Sequence, residues 1–234
     1  MKSSVEEIRA RFDADVERFS NLETGQTAAI DGALAIELIA EAAAACTPKA
    51  THLLDVGCGA GNFSLRLLQQ LPSLNVTLVD LSQPMLRRAE ARITQAGGRV
   101  AAAHQADIRK LDLGTEQFDV IVAAAVLHHL RTEAEWRSVY AKLVGALRPG
   151  GSVWIFDMVT CGHPALDALM TARYGAYLRQ LGGDEYRDSV FRYIEKEDTP
   201  ASLGYQLALL QDAGAKVVEV LHRNACFVAF GGIR

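Results

Sequence analysis

The run Leu53-Leu54-Asp55-Val56 passes directly into Gly57-Cys58-Gly59-Ala60-Gly61, and apolar residues then recur at helical spacing as Phe63, Leu67 and Leu68. A short apolar strand that turns through glycines straight into a helix leaves few folds open. Glycines let the backbone pass close to a ligand, and the helix start presents free N–H groups. The turn therefore reads as the floor of a ligand site.

The rest of the chain repeats that alternation. A second strand is expected over 76–80. Ser82 caps the helix that follows, Pro84 falls in its first turn, and Met85, Leu86, Ala89 and Ile93 form its apolar side before Gly97-Gly98. Further strands are expected over 100–103, 118–125 and 152–158. A helix over 132–147 and the turn Arg148-Pro149-Gly150-Gly151 separate the last two. Strand alternating with helix predicts an α/β fold with a parallel, doubly wound sheet. The continuous apolar run over 118–125 suits a strand covered on both faces. A helix over 200–213 and a hairpin of 216–222 with 226–230, turning at Arg223-Asn224, close the chain.

Two segments stand outside this pattern. Val5, Ile8, Phe12, Val16 and Phe19 make one apolar stripe on a helix over 4–22, and a second helix is expected over 27–46. Residues 162–198 are aromatic, charged and helix-prone, and read as an insertion covering the site. The expected division is 1–48 for N-terminal helices and lid, 49–161 for the ligand-binding core, 162–199 for the insertion and 200–234 for the closing elements.

Composition narrows the partners. The formal net charge is -4, whereas binding to phosphates favours a basic excess. DNA is not expected as a partner, and RNA is disfavoured. Cys46, Cys58, Cys161 and Cys226 are scattered without a C-x-x-C pair, which suits a cytoplasmic protein without disulfides. The N-terminus is charged and lacks the apolar stretch of a secretory signal. The longest apolar runs fall short of a membrane span, so no membrane partner is expected. A homodimer is compatible with this reading.

The charges around the glycine loop indicate the ligand. In the dinucleotide pattern G-x-G-x-x-G, the helix start meets a pyrophosphate. Here the third glycine arrives one residue early, and an acid, Asp55, precedes the first. Asp80 follows about twenty residues on, where an acid bonds ribose hydroxyls. Asp107 can accept from an adenine amino group while Ile108 packs on the ring. Three acids at three successive strand ends face one crevice. They suit a nucleoside that carries cations and no phosphate, as S-adenosylmethionine (SAM) does.

In sequence order, 54–61, Val79-Asp80-Leu81-Ser82, Ala106-Asp107-Ile108, Phe118-Asp119-Val120, Val126-Leu127-His128-His129-Leu130 and Leu147-Arg148-Pro149-Gly150-Gly151 resemble the motifs of class I SAM-dependent methyltransferases. That resemblance covers residues 50–158. It implies a seven-stranded, mostly parallel sheet with a reversed last strand and helical lid elements. The expected cofactor-binding set is Asp55, Gly57, Cys58, Gly59, Gly61, Asp80, Leu81, Met85, Asp107, Ile108 and Ala124, with a small-molecule acceptor. The histidine motif makes His129 the candidate catalytic residue. Phe12, Phe19, Gln26, Tyr174 and Tyr193 are the lid candidates.

Phe12-Asp13 with Val16 and Phe19, the long second helix and the C-terminal helix–hairpin are also similar to the carboxy-SAM synthase family of tRNA wobble-uridine modification. That branch departs from the glycine loop found here, and Arg187 and Arg192 are the arginines available for its carboxylate. A tRNA-modification enzyme is thus one alternative, and a non-catalytic SAM-binding module another. Asp157 stands alone at a strand end, and no acid pair or histidine cluster has metal-ligand spacing, so no metal is expected.

Overall fold

The computed structural model describes residues 2–20 and 27–234. Seven strands form one sheet: β1 (His52–Val56), β2 (Asn75–Asp80), β3 (Arg99–Gln105), β4 (Phe118–Ala124), β5 (Leu147–Met158), β6 (Val217–Asn224) and β7 (Phe227–Ile233). Their spatial order is β3-β2-β1-β4-β5-β7-β6. Pairing is parallel from β3 through β5, and β7 runs antiparallel to both of its neighbours. The reversed last strand expected from the motifs is therefore present. The order turns outward in opposite directions from β1 and β4, and in such sheets ligands bind in the crevice at that switch.

Eight helices accompany the sheet among the described residues: α1 (Val5–Ala14), α2 (Val16–Ser20), α3 (Gly32–Cys46), α4 (Asn62–Gln70), α5 (Gln83–Gln95), α6 (Glu133–Ala146), α7 (Pro164–Glu197) and α8 (Leu203–Asp212). Alternation along the strands sorts the core into two layers. Leu53, Trp154 and Phe156 pack with Ile36 and Ile39 of α3 and Leu67 of α4. Leu54, Val56, Val153 and Ile155 pack with Trp136, Tyr140 and Leu143 of α6 and Leu210 of α8. A period of two along the strand assigns each residue to one layer or the other. Each large apolar side chain buried this way contributes about 1.5–3 kcal/mol.

Several boundaries differ from the sequence expectation. The N-terminal stripe is split between two helices, because Asp15 leaves helical geometry and returns its N–H to Phe12 O. Ser4 and Glu7 form a reciprocal cap at the start of α1. Gln26 and the break expected at Gly25 lie outside the described residues, as does the side chain of Phe19. Helix α3 begins at Gly32 rather than near 27, because Asp31 adopts a left-handed conformation. Its carboxylate pairs with His222 Nε2 at 2.8 Å and accepts from the Asn224 amide at 2.9 Å. The turn at 148–151 lies within β5 as a bulge, where the register steps from Phe118↔Leu147 to Val120↔Ser152. The closing hairpin turns at Ala225-Cys226 rather than Arg223-Asn224.

The insertion folds back on itself. Gly182 and Gly183 interrupt α7, and Gly183 has φ 80° with ψ −174°, a conformation open to glycine alone. The two arms then face each other, with Tyr174 and Phe191 edge-to-face at 5.8 Å. Thr160 and Ser202 pair as an isolated bridge where the chain leaves and rejoins the core. No helix among the described residues is long and apolar enough to cross a membrane.

Candidate active site

The glycine loop is tied to the end of β2. The N–H groups of Gly57 and Cys58 both donate to Val79 O, at 2.8 and 3.1 Å. Gly57 has φ 66°, and a Cβ there would lie 2.6 Å from a Val126 methyl. Gly61, at φ 82°, is the residue before α4. The loop is thus shaped by backbone conformation and by close packing on the chain that follows β4.

Asp55 is buried and accepts from Ser64 Oγ at 2.6 Å. Burial, opposed by the Ser64 bond and reinforced by the nearby Asp80, pushes its carboxyl up to about 7. Asp80 accepts from Gly59 N–H and Ser82 N–H, each at 2.8 Å. Burial raises its pKa, while those backbone donors oppose the rise. Ser82 in turn donates to Asp13 of α1 at 2.6 Å, which brings a further carboxylate beside Asp80. Asp107 is engaged by Arg109 through Nε and Nη2 at 2.7–3.0 Å. Burial would raise the Asp107 pKa, and the Arg109 bonds and charge bring it down.

Two cavities open along the strand ends. One, of about 180 Å³, is walled by Gly57, Asp80, Leu81, Asp107 and Ile108 and roofed by Val5 and Ile8 of α1. The other, of about 760 Å³, is lined by Phe12, Phe63, Ala124, Phe156, Tyr174, Tyr186 and Tyr193, among others. His129 lines both.

His129 sits on a single 3₁₀ turn, Leu127–His129. Beside it, His128 is anchored from below by Asp157, whose carboxylate also accepts from the N–H groups of Leu127, His128 and Met158 at 2.7–3.1 Å. Burial alone would lower the His128 pKa, but Asp157 and Asp198 outweigh it and raise it to about 9. Burial, then the charges of His128 and Arg131, push His129 well below its ordinary value. Burial raises Asp198 to about 6 against the pull of His128.

The N-terminal segment is fastened across this region. Glu197, at the end of α7 and 1% exposed, accepts from Ser3 Oγ and Arg11 Nη2, both at 2.8 Å. Arg11 also lies over the Tyr193 ring at 5.1 Å. On the other side, Glu17 of α2 is ion-paired with Arg88 of α5.

Comparison with known proteins agrees with this geometry. Residues 53–151 match the family model described as a methyltransferase domain. An uncharacterized methyltransferase of Mycobacterium tuberculosis is 38% identical over 117 residues, covering 50% of this chain and 55% of that protein. The chain thus spans about half the length of such relatives. A carboxy-S-adenosyl-L-methionine synthase of Wolinella succinogenes is 32% identical over 202 residues, covering 85% of this chain and 82% of the relative. A solved structure titled a putative O-methyltransferase, from Nostoc punctiforme, superposes with TM-score 0.66 at 13% identity, over 95% of this chain and 60% of its own.

The chain belongs to the class I SAM-dependent methyltransferase family. Its cofactor is SAM, and the donor set fits that molecule. Asp80 and Asp107 line the smaller cavity at successive strand ends, and Asp55 is buried behind its wall. Asp55 is a buried acid with a raised pKa whose hydrogen-bond partner among the described residues is Ser64.

The structure distributes the expected site residues unevenly. Gly57, Asp80, Leu81, Asp107, Ile108 and His129 line the smaller cavity. Asp55, Cys58, Gly59 and Gly61 lie behind that wall, in or next to the glycine loop. Ala124 lines the larger cavity instead. Met85 is fully buried and lines neither, because it faces inward from the first turn of α5. Tyr174 and Tyr193 reach the larger cavity with Phe12, whereas Arg187 pairs with Asp184 and Asp188 and Arg192 is exposed. Neither arginine lines either cavity; Arg11 and Arg18 line the larger one.

Asp13, Glu197 and Asp198 were not foreseen. The sequence holds one legible hint nearby: Asp157 is an acid within the apolar run of β5, and such a residue needs a partner. Among the described residues, His128, His129 and Asp198 bring one potential ligand atom each within 4.8 Å of one another. His128 and His129 are adjacent, and the third member, Asp198, comes from a distant helix end, so no local spacing could show the group.

Proposed function

We propose that this chain transfers the methyl group of SAM to a small-molecule acceptor held in the larger cavity. The observation that carries the reading is His129, whose side chain lines both cavities. Cofactor and acceptor would meet at that wall. Bound SAM supplies an electrophilic methyl group on a sulfonium. Asp80 would hold the ribose hydroxyls, Asp55 the ammonium side, and Ile108 and Leu81 the adenine.

On the acceptor side, Phe12, Tyr174, Tyr186 and Tyr193 offer aromatic walls, and His129 Nδ1 is buried without a hydrogen-bond partner. The ring stands where an acceptor hydroxyl or amine would approach the methyl group. Methyl transfer gains most from such alignment and from exclusion of water, and α1 with the two arms of α7 supplies the exclusion. The net charge of -4 favours a small acceptor over an RNA strand.

A second reading rests on the similarity to the Wolinella protein over most of both chains: a tRNA-modification role through a carboxylated SAM derivative. Mass analysis of the small molecules retained at isolation, followed by transfer from methyl-labelled SAM into small-molecule and RNA fractions, separates the readings. Label in the small-molecule fraction is expected. A retained carboxylated SAM derivative, or label in RNA, would overturn the proposal.

A further inference from the structure

We infer that His128, His129 and Asp198 form a binding site for one divalent transition-metal ion, of the class that takes nitrogen and oxygen ligands, on the wall of the larger cavity. Asp198 Oδ1 lies 3.6 Å from His128 Nε2 and 3.4 Å from His129 Nδ1, and all three atoms fall within 4.8 Å of one another. Ligands held ~2.0–2.2 Å from zinc at tetrahedral angles stand roughly 3.3–3.6 Å apart. The two measured edges match that figure.

Two of the three donor atoms, Asp198 Oδ1 and His129 Nδ1, are buried and make no hydrogen bond. Asp198 is 4% exposed, and its Oδ1 meets the two histidines at ion-pair distance without a hydrogen bond. A cation bound between the three residues would satisfy both atoms at once.

The surroundings are those of a prepared ligand set. The Asp157 carboxylate already accepts three backbone N–H groups, its contact with His128 Nδ1 holds a proton on that nitrogen, and a bound cation would displace the proton from Nε2. A carboxylate behind a histidine in this way fixes the ring and its tautomer in metal sites. Asp198 is fixed as well: the next residue, Thr199, donates its N–H to His128 O at 2.7 Å, and Arg131 Nη1 donates to Thr199 Oγ1 at 3.0 Å. His128, His129 and Asp198 all face the larger cavity. A fourth position there would take water, an open rather than a closed ligand set.

This inference stands apart from methyl transfer, and its test needs no turnover. The untagged chain, stripped with chelator, is titrated with Zn²⁺ by calorimetry and with Co²⁺ by visible absorption. One ion per chain and a tetrahedral Co²⁺ spectrum are expected. Asp198→Asn and His129→Gln should each weaken binding at least about tenfold, and Asp157→Asn should weaken it by roughly 10–100-fold through the ring it orients. Thermal unfolding of each variant establishes that it is folded; if Asp198→Asn is not, His129→Gln decides. Absence of stoichiometric binding, or binding unchanged in a folded Asp198→Asn or His129→Gln protein, overturns the site.

Discussion

The backbone N–H of Gly59 donates to the carboxylate of Asp80 at 2.8 Å, so the tip of the glycine loop and the end of the second strand are held as one unit. Each Asp80 oxygen takes one backbone donor and keeps a lone pair for a ribose hydroxyl. Asp80→Ala should weaken SAM binding by roughly 1.5–3 kcal/mol, the scale of hydrogen bonds to a charged group. Calorimetric titration checks this, and unchanged affinity in a folded variant would count against the ribose assignment.

Asp55 sets a pH dependence. Its carboxyl is raised to about 7 in the fold by burial, with Ser64, Asp80 and the Cys58 thiol as its neighbours. A raised acid pKa means that the folded state prefers the protonated form. Its contribution is most favourable below the unfolded value near 4 and is lost as pH rises through about 7. Three pKa units set a ceiling of about 4 kcal/mol. Asp55→Asn should therefore stabilise the ligand-free fold more at pH 8 than at pH 4, measured by denaturant unfolding. A bound ammonium favours the carboxylate, so SAM affinity of the unmodified protein should climb toward pH 7 and level off above it.

Glu197 ties the N-terminal segment to the end of α7 through Ser3 and Arg11. Glu197→Ala removes the partner of both Ser3 and Arg11. Arg11 keeps partial solvent contact, so the loss should stay under the ~3–5 kcal/mol of a fully buried pair. Limited proteolysis should cut the N-terminal segment faster in the variant, and S-adenosylhomocysteine should protect that segment in the unmodified chain. Removal of residues 1–22 should leave the sheet folded and depress transfer far more than SAM binding. Equal cleavage with and without ligand would make α1 a structural strap rather than a lid.

The loop glycines should rank by what a methyl group would strike. Gly57→Ala meets Val126 at 2.6 Å as well as a left-handed backbone, whereas Gly59→Ala meets no atom within 4 Å. Gly59→Ala should cost about 1–2 kcal/mol of backbone strain. Gly57→Ala adds steric displacement of about 1–3 kcal/mol. Thermal unfolding of the two proteins side by side gives the order.

What could be read from the chain followed from local rules. Strand β1, the glycine loop and Asp80 were legible because an apolar run, a backbone requirement and a charge coincide within thirty residues. The hairpin turn was misplaced because Asn224, which tolerates a left-handed backbone, was the obvious turn residue, whereas Ala225 adopts that conformation at φ 50°. Asp107 looked free for adenine, and the bidentate bond from Arg109 two residues on was not anticipated. Asp198 and Glu197 were invisible for another reason. Their partners lie about 70 and 190 residues away, and only the fold-back of α7 brings them there.

The bridge between Thr160 and Ser202 gives that fold-back a further meaning. The forty-one residues between them leave and re-enter the core through a closed neck, and the glycine pair at 182–183 returns the chain to its starting point. The tip around the glycine pair could lengthen or shorten without shifting a strand register, while Tyr174 and Leu178 stay packed on the core. Descendants of this chain could thus acquire new acceptors by revising the outer part of one cover while inheriting the SAM half unaltered.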